Sequence, residues 1–277
     1  MDKNRLHSLI RSFLAEDIGA GDVTAESIFS PIEVGSASLV ARESMMVAGA
    51  GLVAAEVFRL QNRQVSICDG LEDGLFVQPG STLMTVKGPV VDLLKAERVA
   101  LNLLQRLSGI ATLTASYVER VKLYPVRITD TRKTTPGLRM LEKYAVKVGG
   151  GYNHRFNLAD GILVKDNHIA ACGGITNAVA MVRGNTPHTL RVEVEVEGLE
   201  QVGECLECGV DIIMLDNMEP QSMSEAVKLI DGKALVEASG GISLESVEAV
   251  AKTGVDIISI GALTHSASSV DIGMDWL

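Results

Sequence analysis

The stretch from Asp130 to Tyr144 reads DTRKTTPGLRMLEKY, with Arg132 and Lys133 just ahead of apolar residues at helical spacing. If the helix begins at Pro136, which suits a first turn, both cations stand beside an N-terminus whose partial positive charge disfavours them. A negative ligand between them resolves the conflict. The surroundings agree: from Arg127 to Lys165 there are eight Lys or Arg (Arg127, Arg132, Lys133, Arg139, Lys143, Lys147, Arg155, Lys165) against three acids (Asp130, Glu142, Asp160). This window carries +5 in a chain of net charge −10, so the remainder carries −15. One basic island on an acidic chain does not suit a nucleic-acid backbone, which asks for a broad positive surface, and aromatic residues for stacking are only 4%. A small polyanion is the expected ligand.

Further chemistry-bearing residues fall at the ends of short apolar runs: VRITD, GILVK, RVEVEVE, DIIMLD, ALVEAS and DIISIG. Each is followed by a helical stretch, as buried parallel strands are. In an α/β barrel the chemistry sits at the C-terminal ends of the strands. Here those ends are charged: Lys165 closes GILVK, Glu193, Glu195 and Glu197 alternate in RVEVEVE, and Asp216 with Asn217 closes DIIMLD. Such charges are expensive at the mouth of an apolar barrel unless they pair or hold a ligand. The last two units differ. EASGG places Ser239, Gly240 and Gly241 before a helix, and SIGALTHS places Gly261 after its strand; backbone N–H groups in such loops suit a phosphate. GGGYNHRF adds His154 and Arg155 on a glycine-rich loop within the basic island, while His168 in KDNHI is a weaker candidate because a lone histidine is more often structural. The assembled mouth has a cationic wall, a carboxylate wall and a phosphate seat.

These walls need a scaffold, and 277 residues at 47% apolar content suffice to bury one. The fold class is α/β. Residues 1–108 read as a mixed α+β domain, with helices over 3–15 and 50–60, a strand over 36–42 and further strands near Val65 and Leu83. The loop EDIGAGDVT lacks the alternating acids of a calcium loop and reads as a turn. The run from Pro89 to Tyr124 predicts one or two long helices with a break near Gly109, which marks the boundary. Residues 109–277 then form an incomplete α/β barrel of six strands that carries the active site, with the tail VDIGMDWL packing back on the first domain. Cys68, Cys172, Cys205 and Cys208 are too sparse for a disulfide framework, and Cys205 with Cys208 lacks a second ligand pair. Neither a secretory leader nor an apolar run long enough for a membrane is visible, so the expected location is cytoplasmic, with no membrane partner.

Taken together, ERVALNLLQRLSGIAT, DTRKTTPGLRMLEKYAVKVGGGYNHR, LVKDNHI, VEVEVEGLEQ, IIMLDN, EASGGI and SIGALTHS resemble the quinolinate phosphoribosyltransferase family. The likeness runs in order from Glu97 to Ser266, and the first ninety residues follow more loosely through EDIGAGDVT. The resemblance implies an N-terminal α+β sandwich, a C-terminal open α/β barrel with fewer strands than the eight-stranded type, and a homodimer with a shared active site. It implies a Mg²⁺-dependent reaction of quinolinate with phosphoribosyl pyrophosphate, giving nicotinate mononucleotide, carbon dioxide and pyrophosphate in NAD biosynthesis. By the same resemblance Arg132, His154, Arg155 and Lys165 bind the dicarboxylate, joined by Arg98 from the neighbouring subunit. Lys133 lies near the donor's pyrophosphate, and Glu195 and Asp216 serve the ribose hydroxyls, Mg²⁺ (directly, or through donor and water) or the developing sugar cation. Catalysis then rests on Lys133, Lys165, Glu195 and Asp216, and the 5′-phosphate sits on Ser239, Gly240, Gly241 and Gly261. A related enzyme for another acidic heterocycle and a non-catalytic sensor of a phosphorylated metabolite are the alternatives.

Overall fold

The computed structural model describes residues 1–277. In chain order its elements are α1 (Lys3–Ile18), α2 (Val23–Ile28), β1 (Val34–Ala41), β2 (Met45–Met46), a π-helical stretch (Ala50–Ala54) leading into α3 (Ala55–Gln61), β3 (Ser66–Cys68), β4 (Phe76–Val77), β5 (Thr82–Pro89) and α4 (Val90–Val121). Then come β6 (Arg127–Thr129), α5 (Arg139–Val148), β7 (Ile162–Val164), α6 (Asp166–Cys172), α7 (Ile175–Asn185), β8 (Val192–Val196) and α8 (Leu199–Cys208). The chain finishes with β9 (Ile212–Asp216), α9 (Pro220–Ile230), β10 (Leu235–Ser239), α10 (Val247–Ala251), β11 (Ile257–Ser259), α11 (Ala262–His265) and β12 (Ile272–Trp276). Two compact units result. One comprises Met1–Ala115, Thr135–Gly150 and Ser266–Leu277; the other comprises Ser116–Thr134 and Gly151–His265. The units therefore interleave along the chain, where the sequence reading draws a single cut near residue 108.

The first unit holds an antiparallel sheet in the order β12-β1-β5-β3. Its core is apolar and closed, with Leu6 and Ile10 of α1, Phe58 of α3, Leu39 of β1 and Met84 of β5 almost fully buried. Asp2 caps α1 by accepting from the N–H groups of Asn4 and Arg5, and Asp22 caps α2 by accepting from Ala25, so EDIGAGDVT is a helix-to-helix turn. The tail joins this sheet as β12, in register with β1 from Ala37 opposite Trp276 to Ala41 opposite Ile272.

Two expectations about the middle of the chain need correction. α4 runs unbroken for 32 residues, so Gly109 does not end a helix. A methyl group on Gly109 would stand 2.0 Å from the Ser268 carbonyl oxygen, which shows that the glycine is there to let the returning tail approach. Gly109→Ala is therefore expected to destabilise the protein by about 1–3 kcal/mol, against the gain of up to about 1 kcal/mol that alanine brings to an open helix. Urea unfolding measures the sign directly. The second correction concerns α5, which begins at Arg139 and not at Pro136. Thr135 to Leu138 instead form a turn, closed by Leu138 N–H to the Thr135 carbonyl at 3.0 Å, with Pro136 followed by Gly137 at φ +84°. That is the chemistry of a type II turn. α5 belongs to the first unit, where buried Glu142 accepts from Arg106 (2.9 Å) and from the Thr135 hydroxyl (2.8 Å). α5 thus begins beyond an intervening turn, in a different unit from Arg132 and Lys133, and the role of these two cations is read from the second unit.

The second unit is built on six parallel strands in the order β6-β11-β10-β9-β8-β7. The edges β6 and β7 do not pair with each other, so the sheet is open, as the sequence predicts. A single bridge from Thr129 to Tyr152 extends it beyond β6. Side chains alternate along each strand. Val194, Ile213, Leu215, Val236, Ala238 and Ile258 are buried in the apolar core, whereas the alternate positions Glu193, Glu195, Met214, Asp216, Glu237 and Ser239 line interior cavities.

Candidate active site

At the C-terminal ends of the strands lies a cavity of about 490 Å³. Its walls include Arg132, Lys133, His154, Arg155 and Lys165 on one side of the charge balance and Glu195 and Asp216 on the other. Ser239, Gly240 and Gly241 also line it. Of the residues to which the resemblance gives a role, only Arg98 and Gly261 are not part of this lining: Arg98 is an exposed residue of α4 in the first unit, and Gly261 follows β11. Gly261 is nevertheless close to the cationic wall, since a methyl group on it would lie 3.0 Å from Cδ of Lys133.

Local structure explains how each side chain is set. β6 is followed by Asp130, fully buried, whose carboxylate accepts from the His154 N–H (2.9 Å) and from Asn153 Nδ2 (2.6 Å). The chain from Tyr152 to His154 is thereby pinned alongside β6, with Tyr152 N–H on the Ile128 carbonyl and Asp130 N–H on the Tyr152 carbonyl. Just past Asp130, the Thr131 hydroxyl accepts from Lys133 N–H (3.0 Å), and the Thr264 hydroxyl donates to the Lys133 carbonyl (2.8 Å). Arg155 is held by a hydrogen bond from Nη1 to the Gly161 carbonyl at 3.0 Å. Burial and the like charge of Arg132 push its guanidinium below its ordinary pKa, with Glu193 partly opposing them. Two guanidinium groups this close want an anion.

On the opposite wall, Lys165 pairs with Glu195, the lysine half exposed and the carboxylate mostly covered. Asp216 accepts from Asn217 Nδ2 at 2.8 Å. Asn217 has φ +53°, and its N–H meets the Ser239 carbonyl at 2.9 Å. Gly240 packs on this turn with φ +92°, and a methyl group there would meet Asn217 Oδ1 at 2.2 Å. Gly241 follows at φ +61°, so the two glycines form a tight, side-chain-free seat. Glu195 and Asp216 are the residues suited to a hydrated divalent cation, because Mg²⁺ is commonly held by one or two carboxylates plus substrate phosphates.

Some sequence candidates turn out to be structural. His168 caps α6 by accepting from Lys165 N–H at 2.9 Å. Glu197 lies exposed beyond the end of β8 and receives no place in the cavity. Cys205 is buried with its thiol pushed up to about 12, chiefly by desolvation, as befits an inert helix cysteine.

Other residues were missed. Met214 and above all Glu237 also line the cavity. Glu237 is only 2% exposed and sits mid-strand in ALVEAS, where an acid flanked by apolar neighbours is itself a signal. It forms a cluster with Glu193 and His154, whose nearest polar atoms all lie within 4.8 Å of one another. His154 Nε2 is 3.1 Å from Glu193 and 3.6 Å from Glu237, while Nδ1 accepts from Arg155 N–H at 2.8 Å. Nδ1 as acceptor leaves Nε2 as the donor towards Glu193.

The descriptions "Quinolinate phosphoribosyl transferase, N-terminal domain" and "Quinolinate phosphoribosyl transferase, C-terminal domain" belong to the family models that match residues 22–108 and 110–275. A Bacillus subtilis relative is 48% identical over 275 residues, covering 99% of this chain and 94% of its own length. One from Mycobacterium leprae, named nicotinate-nucleotide pyrophosphorylase (carboxylating), is 45% identical over 96% of this chain and 95% of that one. Among solved structures, NadC from Streptococcus pyogenes superposes with a TM-score of 0.95 at 42% identity, covering 100% of this chain and 99% of that one. No helix of the protein is long and apolar enough to cross a membrane.

Proposed function

The chain belongs to the quinolinate phosphoribosyltransferase family, and from that premise we propose how its residues divide the family reaction. It is a pentosyltransferase that joins quinolinate to phosphoribosyl pyrophosphate and gives nicotinate mononucleotide, carbon dioxide and pyrophosphate in NAD biosynthesis. One observation carries the residue assignment: Arg132, Arg155 and Lys165 crowd a cavity whose other wall is Glu195 and Asp216.

Quinolinate is a ring dicarboxylate, and guanidinium forks match carboxylates in a bidentate way. Arg132 and Arg155 grip it, Lys165 adds a third cation, and His154 walls the ring while orienting Arg155. Arg98 of a second copy completes this grip in a homodimer. Lys133, exposed on the loop after β6, meets the donor's diphosphate. Ser239, Gly240, Gly241 and Gly261 seat the 5′-phosphate with backbone N–H groups. Glu195 and Asp216 face the ribose, where negative charge stabilises the oxocarbenium-like state of a glycosyl transfer. The same two carboxylates would hold Mg²⁺, directly or through water, and the ion would supply positive charge for the diphosphate. Positioning and electrostatics suffice, without a covalent intermediate. The four cysteines are unpaired, which suits the proposed cytoplasmic location.

The direct test incubates the purified protein with quinolinate, phosphoribosyl pyrophosphate and Mg²⁺. Nicotinate mononucleotide should form with equimolar pyrophosphate and carbon dioxide, and nicotinate should not replace quinolinate. Product from nicotinate alone would contradict the dicarboxylate assignment. The phosphate seat has its own test in Gly240→Ala. The added methyl group meets Asn217 in a positive-φ turn, a strain of about 1–3 kcal/mol, so KM for the donor is expected to rise about tenfold or more while KM for quinolinate moves much less.

A further inference from the structure

Besides the cavity at the strand C-termini, a second of about 490 Å³ opens at the other end of the same strands, lined by Arg127, Ile162, Arg191, Ile212 and Ile257. The two cavities share His154, Arg155 and Glu237 as lining residues. In a closed barrel this middle layer is filled by bulky apolar side chains. Here it holds two carboxylates and an imidazole, with Glu193 Oε1 and Glu237 Oε1 buried and without hydrogen-bond partners. An apolar plug would separate the cavities more cheaply, because a buried polar atom left unpaired costs stability. Something beyond packing keeps the layer polar.

The reaction assigned above supplies a demand that no cation of the cavity is placed to meet. When the carboxylate next to the ring nitrogen departs as carbon dioxide, the bond from C2 to the carboxyl carbon breaks and its electron pair remains on C2. The cationic nitrogen stabilises that pair, and C2 must then take a proton. Arg132 and Arg155 do not release protons, Lys165 is tied to Glu195, Lys133 is given to the donor's diphosphate on the reading above, and His154 directs its Nε2 proton to Glu193.

Resting on that reading of the reaction, we propose that Glu237 is the acid that protonates C2, and that the second cavity lets water restore its proton after each turnover. Glu237 gives its carboxyl proton to C2, becomes a carboxylate, and recovers a proton from solvent. Several groups from the elements around it set its state. Desolvation comes first, then the charge of Glu193 on β8, both raising its pKa; His154 on the loop after α5 and Ser259 on β11 oppose them, and the balance leaves Glu237 at about 7. Arg155 shares the cavity walls. Two carboxylates in contact cannot both ionise readily, so one keeps a proton near neutrality.

The experiment is a single turnover of Glu237→Gln with quinolinate, phosphoribosyl pyrophosphate and Mg²⁺, following pyrophosphate and nicotinate mononucleotide separately. Glutamine keeps the shape and removes the acid. Pyrophosphate release should stay within about threefold of the parent, while product formation falls by about a hundredfold or more, with a nucleotide one carboxyl group heavier accumulating. If a folded variant loses both signals together, or neither, the proposal is overturned. The parent protein gives an independent reading. Only the protonated acid serves, so product formation should fall as pH rises through about 7 while pyrophosphate release does not, and Glu193→Gln should move that fall to lower pH. A parent without this split overturns the proposal, as does a stoichiometric bound transition metal that Glu237→Gln loses. A parent that releases no pyrophosphate at all sinks the reaction assignment itself, which is a different failure.

Discussion

Arg132→Ala is expected to keep its fold and to lose two to three orders of magnitude in kcat/KM for quinolinate. Arg132 lies part-exposed on the loop after β6, outside the core, so its removal should change stability by no more than about 0.5 kcal/mol. Its functional loss is larger. Truncating one partner of a desolvated charge pair costs about 2–5 kcal/mol, and each step of about 1.4 kcal/mol is a factor of ten. One effect works the other way: removing Arg132 relieves the repulsion that depresses Arg155, which holds the expected loss near the middle of that range. Arg132→Lys should recover little, because an ammonium cannot make the paired, planar contact of a guanidinium. Steady-state kinetics with a thermal melt separates the two outcomes, and a variant retaining more than about a tenth of parental efficiency would remove Arg132 from the dicarboxylate grip.

On the proposed assignment, Glu195→Gln is expected to act on the other substrate. The change keeps size and hydrogen bonding but removes the charge facing the sugar, so kcat should fall by about a thousandfold, the scale of one preorganised electrostatic group at a developing charge. KM for quinolinate should change far less, despite the loss of the ion pair with Lys165. That split distinguishes a transition-state role from a merely structural one. Single-turnover pyrophosphate release reads the affected step directly, and a loss of less than about tenfold would leave Glu195 as no more than a partner for Lys165.

Much of the site was legible in the sequence because parallel strands are apolar runs closed by what the mouth requires. Lys165, Glu195 and Asp216 stand out there against apolar residues, and all three line one cavity. The seat at Gly240 was readable for the same reason, although its partner Asn217 was not, since the contact depends on how two neighbouring strands end. Glu237 is not legible in this way because it lies within a strand, one turn of the pleat short of the strand end where the other site residues stand. Gly109 was misread because a glycine in a helix shows nothing of the Ser268 carbonyl that closes on it from 159 residues further along. α5 was misplaced in the barrel for a related reason. Periodicity predicts a helix with a buried face but not what covers that face, and here Glu142 is satisfied by Arg106 and Thr135 in the first unit.

The central claim is that cations scattered from Arg132 to Lys165 grip a ring dicarboxylate, opposite Glu195 and Asp216, in the cavity at the C-terminal ends of the strands. A crystal structure of the protein with quinolinate tests it most directly. The account predicts both carboxylates on Arg132, Arg155 and Lys165, with the ring nitrogen turned toward the space bounded by Glu195 and Asp216. Quinolinate bound instead at the other end of the strands, between Arg127 and Arg191, would contradict it.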